Sequence, residues 1–568
     1  AIRSGWSSLL GVLTNAAVDD DEQFVTKGYK YVSVICKNHF DEVFAEEGFE
    51  AVVVCLTEYA KNDKFQKISL HALHDISALV NVINSKTEAD VEETDGTAAF
   101  GVIKQASLTK FWFPLLYGFH DVIMEGEDLE VRAQALDDLF NTLVKYGKSF
   151  GKAFWYRVSE EILFPIFGIL SQHWQLSTNQ EDLWVWLSST LIQALRRMIG
   201  LFTTFYSTLS GMLDGYLNLL VSCICQENET ISKVGISCLQ DLLLQNMTRF
   251  GAPEWTQIDA TFAKLFALTR ATELFDADPN RQQSTKSADG IVPDLSSQTP
   301  VIPSLTISPS TTISGESDDG ENGDNEENNE SGDNDDDENT GSADTEEEEE
   351  DDALNALRIS RQKSTIVIKC VLQLHMIQTL SELFDNEKFY ASIPVADLLK
   401  LAELLYQSYK FAKDFNEDYN LRVRLWNSGV TDKLPNLLKQ ETSAVGVFIS
   451  ITFRMYSDED KTDLKTRKSI SSRLMPLSVA LLRRYAAFNE QEQARSVQNW
   501  VPVVVETVQA CPEMDDDDFR EVCPMIYNYI LAIFDKSLDQ NLRLSLHDFF
   551  ARVGSLYLGV AVNQKPRN

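Results

Sequence analysis

Residues 49–83 read FEAVVVCLTEYAKNDKFQKISLHALHDISALVNVI. Phe49, Val52, Val53, Leu56 and Tyr59 recur every three or four residues, which places them on one stripe of a helix. After the polar turn Lys61-Asn62-Asp63 a second stripe follows through Phe65, Ile68, Ala72, Leu73, Ile76, Val80 and Ile83. Two such helices joined by a short turn make an antiparallel pair. Neither stripe is covered within the pair, so pairs must stack on further pairs, which is the logic of a helical-repeat array.

The same pattern extends along the chain. Ala72-Leu-His-Asp75-Ile76, Ala135-Leu-Asp-Asp138-Leu139 and Cys238-Leu-Gln-Asp241-Leu242 share the order small–Leu–x–Asp–aliphatic. The small residue admits a neighbouring helix, the aliphatics face the core, and the Asp is placed to accept hydrogen bonds from an adjoining turn. Their unequal spacing makes the repeats degenerate rather than a strict ankyrin or tetratricopeptide array. The β-branched run Val501–Val505 reads as a buried helix after Pro502, and Pro114, Pro165 and Pro476 read as helix starts. The expected fold class is all-α, an α-solenoid of degenerate HEAT-like helical repeats with a long disordered acidic insert.

That insert explains the net charge of −36. Of the 37 residues from Glu316 to Asp352, 21 are Asp or Glu and none is Lys or Arg, which leaves −15 for the rest of the 568-residue chain. From Ala277 to Asp352 the sequence is rich in Ser, Thr, Pro, Gly, Asn and acids. Such a composition cannot bury enough apolar surface to offset its ordering entropy. The expected organisation is therefore helical repeats over 1–95 and 105–276, a disordered linker over 277–352, and helical repeats over 353–568. The acidity excludes non-specific nucleic-acid binding.

Catalytic and metal-binding patterns do not emerge. His71 and His74 stand at i and i+3 beside Asp75, but no third and fourth ligand accompany them. The eight cysteines lie mostly in apolar helical stretches and read as buried free thiols in a reducing compartment. There is no GxGxxG, GxxxxGK, HExxH or GxSxG. No catalytic residue, metal or cofactor is expected, and no apolar run long enough to span a membrane is evident. Asn228-Glu-Thr230 and Asn246-Met-Thr248 match the glycosylation pattern, which arises often by chance. The chain opens at Ala1 in mid-pattern and reads as a fragment of a longer protein.

Two features suggest interaction surfaces. The aromatic clusters Phe111-Trp112-Phe113-Pro114, Phe154-Trp155-Tyr156, Trp174 and Trp184-Val-Trp186 suit either partner contacts or, as the preferred reading, staples between helix pairs. Lys461, Lys465, Arg467, Lys468, Arg473, Arg483 and Arg484 meet only Asp463 among acids, a local basic patch for anionic lipid, an acidic partner or the chain's own insert. Arg361-Gln-Lys-Ser364 resembles a basophilic kinase site.

Three sets of residues carry a family resemblance. They are Ile2-Arg-Ser-Gly-Trp6; Trp112-Phe-Pro-Leu-Leu116 with Val131-Arg132, Tyr146-Gly147 and Phe154-Trp155; and Phe411–Phe415, Arg424-Leu-Trp426, Leu434–Glu441 and Phe453–Tyr456. Together they resemble the C-terminal region of the large trans-Golgi exchange factors for Arf GTPases, the brefeldin-A-inhibited (BIG) family. Trp112, Pro114, Arg132, Trp155, Trp426, Asn436, Lys439, Gln440, Glu441 and Arg454 are the motif residues, expected to be structural. The Phe-Arg-Leu-Pro-Gly-Glu type loop of the family's catalytic module is not in this stretch. The resemblance implies a non-catalytic regulatory arm, peripheral on Golgi membranes, with Rab and Arf or Arf-like GTPases as partners and a homodimeric parent. The alternatives are a related Golgi and endosomal scaffold without the exchange module, and a karyopherin-like transport adaptor.

Overall fold

A computed structural model describes residues 5–45, 48–92, 106–173, 181–276, 343–536 and 539–559. Among the described residues every regular element is helical and no strand is present. The founding pair is present as the helices Phe49–Ala60 and Gln66–Glu92. All the residues of the first stripe are buried, and so are all those of the second except Phe65, which packs partly buried against the core.

Helix starts follow from local chemistry. Asp21, Asp128, Asn228, Asn386, Asp418, Asp463 and Asp539 each cap a helix by accepting from a backbone N–H two or three residues on. Pro114 and Pro165 do sit in the first turn of the α-helices Phe113–Glu125 and Phe164–His173. Each is preceded by a π-helical turn, Leu108–Trp112 and Ser159–Leu163, rather than by a loop. Proline has no N–H and its ring presses on the carbonyl four residues back, so the wider turn relieves both faults. Pro476 departs from expectation. It lies inside the helix Leu464–Ala486, as Pro502 lies inside Ala494–Ala510. Both are on exposed positions, where water can take the orphaned carbonyl.

The chain divides into two compact units. The larger contains residues 1–270, 371–413 and 438–568. Within it, helix pairs stack in two layers. One layer runs through Trp6–Ala16, Phe49–Ala60 and Phe113–Glu125, the other through Glu22–Asn38, Gln66–Glu92, Leu129–Tyr146, Glu181–Thr204 and Glu229–Asn246. The three-fold sequence echo falls on the second layer. Ala72, Ala135 and Cys238, with their paired aliphatics, are all buried. Asp75 accepts from Tyr29 Oη at 2.7 Å and Asp138 from Ser77 Oγ at 2.6 Å, so the donor belongs to the preceding helix rather than to a turn. Asp241 is exposed.

The helices on either side of the insert pack directly in this unit. Trp255 meets Phe389 edge to face at 5.7 Å, Thr269 Oγ1 donates to Gln373 Oε1 at 2.6 Å, and Lys400 Nζ bridges Asp259 at 2.9 Å and Asp397 at 2.7 Å. The C-terminal helices Leu438–Ser457, Leu464–Ala486, Ala494–Ala510, Asp516–Phe534 and Gln540–Leu558 continue the stacking.

The smaller unit contains residues 271–370 and 414–437. Phe275 packs edge on to Phe415 at 5.8 Å, Lys369 pairs with Glu273, and Arg422 Nε donates to Pro435 O at 2.6 Å. Residues 277–342 of the acidic stretch lie outside the described residues, but its end does not behave as linker. The helix Ala343–Asp385 begins ten residues before the expected boundary. Glutamate is a good helix former, and acids in the opening turns favour the positive end of the helix dipole, so Glu346–Asp352 reads as a helix start.

One described stretch, Leu357–Asp385, is long and apolar enough to cross a membrane by length and composition, contrary to expectation. Its Met376, Ile377, Leu380 and Leu383 are packed in the helical core, and its buried Gln373 donates to Ser408 Oγ at 2.9 Å.

Candidate partner-binding surface

The seven basic residues do not share one surface. Lys461 donates to Ile393 O at 2.8 Å and sits 4.9 Å from the Tyr390 ring centre; burial pushes its ammonium pKa down. Arg467 is buried, with Nε on Tyr456 O at 2.7 Å and its Nη groups on Glu459 and Asp515 at 2.9 and 3.2 Å. Arg473 pairs with Glu403 at 2.7 Å, and Arg484 with the fully buried Glu441. Four of the seven cations are thus used in holding helices together. Lys465, Lys468 and Arg483 remain exposed on one side of the helix Leu464–Ala486. Lys465 and Arg483 are five turns apart, so they face the same way about 27 Å from each other.

A signal for Arg467 was present in the sequence. It stands four residues after the capping Asp463, as Arg132 stands four after Asp128. Arg132 Nε likewise reaches back to the end of the preceding helix, donating to Ile123 O at 2.8 Å. The same spacing does not suffice by itself, since Arg543, four residues after the capping Asp539, is exposed.

The motif residues divide. Trp112, Arg132, Trp155, Gln440 and Glu441 are buried. Trp155 Nε1 donates to Gly147 O at 3.0 Å, and a Cβ at Gly147 would lie 2.5 Å from Trp155 Cζ2, which is why glycine follows Tyr146. Pro114 is half-buried, whereas Trp426, Asn436 and Lys439 are exposed. Arg454 stacks 3.7 Å from the Tyr390 ring centre and donates to Phe384 O at 2.9 Å. Trp174 and the side chains of Trp184 and Trp186 lie outside the described residues. Tyr156 is exposed, while Phe111 and Phe154 are core.

Lys439 and Arg454 also line a groove of about 880 Å³ that crosses the helices Ala343–Asp385, Leu438–Ser457 and Ala494–Ala510. The middle helix contributes the small residues Ser443, Gly446 and Ser450 to its lining, and the flanking helices contribute His375 and Gln498. The groove is wide, part apolar and part polar, and suited to a peptide-sized partner.

Among the described residues no His, Cys, Asp or Glu group could hold a metal ion, and His71 and His74 are exposed. All eight cysteines are free and at least half-buried; burial pushes the Cys36 thiol up to about 12. Asn246 is buried and donates to Thr203 Oγ1 and Leu242 O, while Asn228 is spent as a helix cap.

Residues 371–551 match the family model described as the BIG2 C-terminal domain, which contains the whole groove. The ADP-ribosylation factor guanine nucleotide-exchange factor SEC7 of Saccharomyces cerevisiae is 40% identical over 98% of this chain and 29% of its own length. The corresponding factor sec72 of Schizosaccharomyces pombe is 29% identical over 99% of this chain and 29% of its own. The brefeldin A-inhibited guanine nucleotide-exchange protein 1 of Homo sapiens is 26% identical over 98% and 30%. Among solved structures, importin beta aligns over 97% of this chain and 58% of its own at 11% identity, with a TM-score of 0.24. The chain thus spans under a third of the length of the curated relatives it matches. Along nearly all of its residues the chain is thus homologous to part of the SEC7 and BIG proteins, with a BIG2 C-terminal domain at 371–551.

Proposed function

We propose that the chain is the non-catalytic regulatory and interaction scaffold of an Arf guanine-nucleotide-exchange factor in Golgi vesicle traffic. The observation that carries this reading is the 40% identity to SEC7 over 98% of the chain, together with the BIG2 C-terminal domain within it. In this reading the segments 1–95, 105–276 and 353–568 are helical platforms, and exchange chemistry belongs to another part of the parent protein. The scaffold governs membrane recruitment, autoinhibition, response to Rab and Arf or Arf-like GTPases, or dimerisation on the trans-Golgi network.

Two surfaces support such a role. The groove across the helices Ala343–Asp385, Leu438–Ser457 and Ala494–Ala510 offers space for a protein segment. The exposed Lys465, Lys468 and Arg483 offer positive charge toward an anionic membrane on a chain that is otherwise acidic. The test is a pull-down of the chain on GTP- and GDP-loaded Rab and Arf GTPases, with light scattering on the same sample. Preferential retention on the GTP forms supports the effector role. Equal or absent binding to both forms refutes it.

A further inference from the structure

A second cleft lies far along the chain from the groove and the basic residues, between the helices Phe49–Ala60 and Phe113–Glu125. Its volume is about 280 Å³. Val54 and Tyr117 form its apolar walls with Phe113 and Pro114, and both are left open to solvent, 49% and 46% exposed. Every charged side chain lining it is an acid: Glu50, Glu58 and Asp121.

The local sequence makes this shape. Gly118 brings the two helices together, since a Cβ there would lie 2.9 Å from Thr57 Oγ1 and 3.1 Å from Val53 Cγ1. Phe113 and Pro114 follow directly on the π turn Leu108–Trp112, and such turns recur where a helix must present side chains out of register.

The surroundings already hold cations of this chain. Lys61 Nζ lies 2.7, 2.9 and 3.0 Å from Glu58, Asp121 and Glu125. Burial works to lower its pKa, yet these carboxylates together hold it above the ordinary lysine range. The Arg157 guanidinium stacks 3.6 Å from the centre of the Phe113 ring. Arg157 is itself paired with Glu161 at 3.0 Å, and the Lys61 ammonium alone does not balance Glu50, Glu58, Asp121 and Glu125, so an excess of negative charge surrounds an exposed apolar slot.

We propose that this cleft is a docking site for a basic amphipathic helix of a partner protein. One bulky apolar side chain of that helix enters between Val54, Phe113 and Tyr117. Lys or Arg residues one turn to either side meet Glu50, Glu58 and Asp121. Charge complementarity selects this occupant: an acidic helix or an anionic membrane would be repelled, and a purely apolar one would leave the carboxylates uncompensated.

The test uses the full chain and three fluorescein-labelled helical peptides, built from Leu and Lys, from Ala and Lys, and from Leu and Glu. Anisotropy at moderate salt should show binding of the Leu/Lys peptide, at least tenfold weaker binding of the Ala/Lys peptide, and none of the Leu/Glu peptide. Val54→Asp and Tyr117→Ala, both at half-exposed positions, should each weaken the Leu/Lys peptide at least tenfold while thermal melting still shows a folded chain. Equal affinity for the two Lys peptides, or binding indifferent to both substitutions, would mean diffuse attraction to an acidic chain and would overturn the proposal.

Discussion

Arg484 forks onto the carboxylate of Glu441, a side chain with 0% exposure, and lies 4.9 Å from the centre of the Trp500 ring. The pair ties the helix Leu464–Ala486 to Leu438–Ser457, and Trp500 adds a third helix, Ala494–Ala510. Arg484 supplies the counter-charge to this buried carboxylate. Arg484→Ala should therefore lower the unfolding free energy by about 3 kcal/mol, since it leaves a buried charge uncompensated. Replacing both, Glu441→Leu with Arg484→Met, should recover most of that loss in urea denaturation. Equal losses in the single and double variants would show that the pairing itself contributes little.

Asp259 gives a dependence on pH. Burial carries its carboxyl pKa up to about 7, Asp397 adds to the rise, and Lys400 opposes it. A carboxyl whose folded pKa is raised binds protons more tightly in the folded state. Its stabilising contribution is complete below about pH 4 and is lost as the pH rises through about 7. Asp259→Asn keeps the size and removes the titration. Between pH 5 and 8 the urea midpoint of the parent should fall more than that of the variant. Parallel curves would contradict the assignment.

Gly147 leaves no room for a methyl group against Trp155 and Phe205. Gly147→Ala should cost about 1–3 kcal/mol by overpacking, although alanine is the better helix former. Adding Trp155→Phe to that variant relieves the clash but loses the indole hydrogen bond to the carbonyl at this position, and it should restore part of the melting temperature.

Lys465, Lys468 and Arg483 are exposed, and reversing all three to Glu should move the melting temperature by no more than the small change typical of surface sites. Sedimentation with vesicles containing anionic lipid should nevertheless fall, and the residual binding should lose its salt dependence. Unchanged sedimentation would remove this face from the membrane-recruitment reading. Arg467→Glu makes the contrast, because it should unfold rather than merely release the protein.

The stripes from Phe49 to Ile83 mark both helices of the founding pair, because burial on a helix leaves a periodic trace in the sequence. The buried small residues of the echo, Ala72, Ala135 and Cys238, are legible for the same reason. Pairing leaves no such trace. Seven cations between Lys461 and Arg484 look alike in a count of charges, yet Glu441 and Asp515 claim Arg484 and Arg467 from helices distant in sequence. Pro476 misleads because proline ends helices only when its neighbours cannot spare a hydrogen bond, and on a solvent face they can. The clefts are invisible in the sequence, since each is made by side chains of helices that meet only after folding.

Asp75 and Asp138 each accept a hydrogen bond from the helix before them, and Asp138 accepts a second from Gln134 of its own helix. Each seam is thus closed by a polar bond between two helix pairs as well as by apolar packing. Opening it frees donor and carboxylate to water together, so in hydrogen exchange the amides on its two sides should open as one cooperative block.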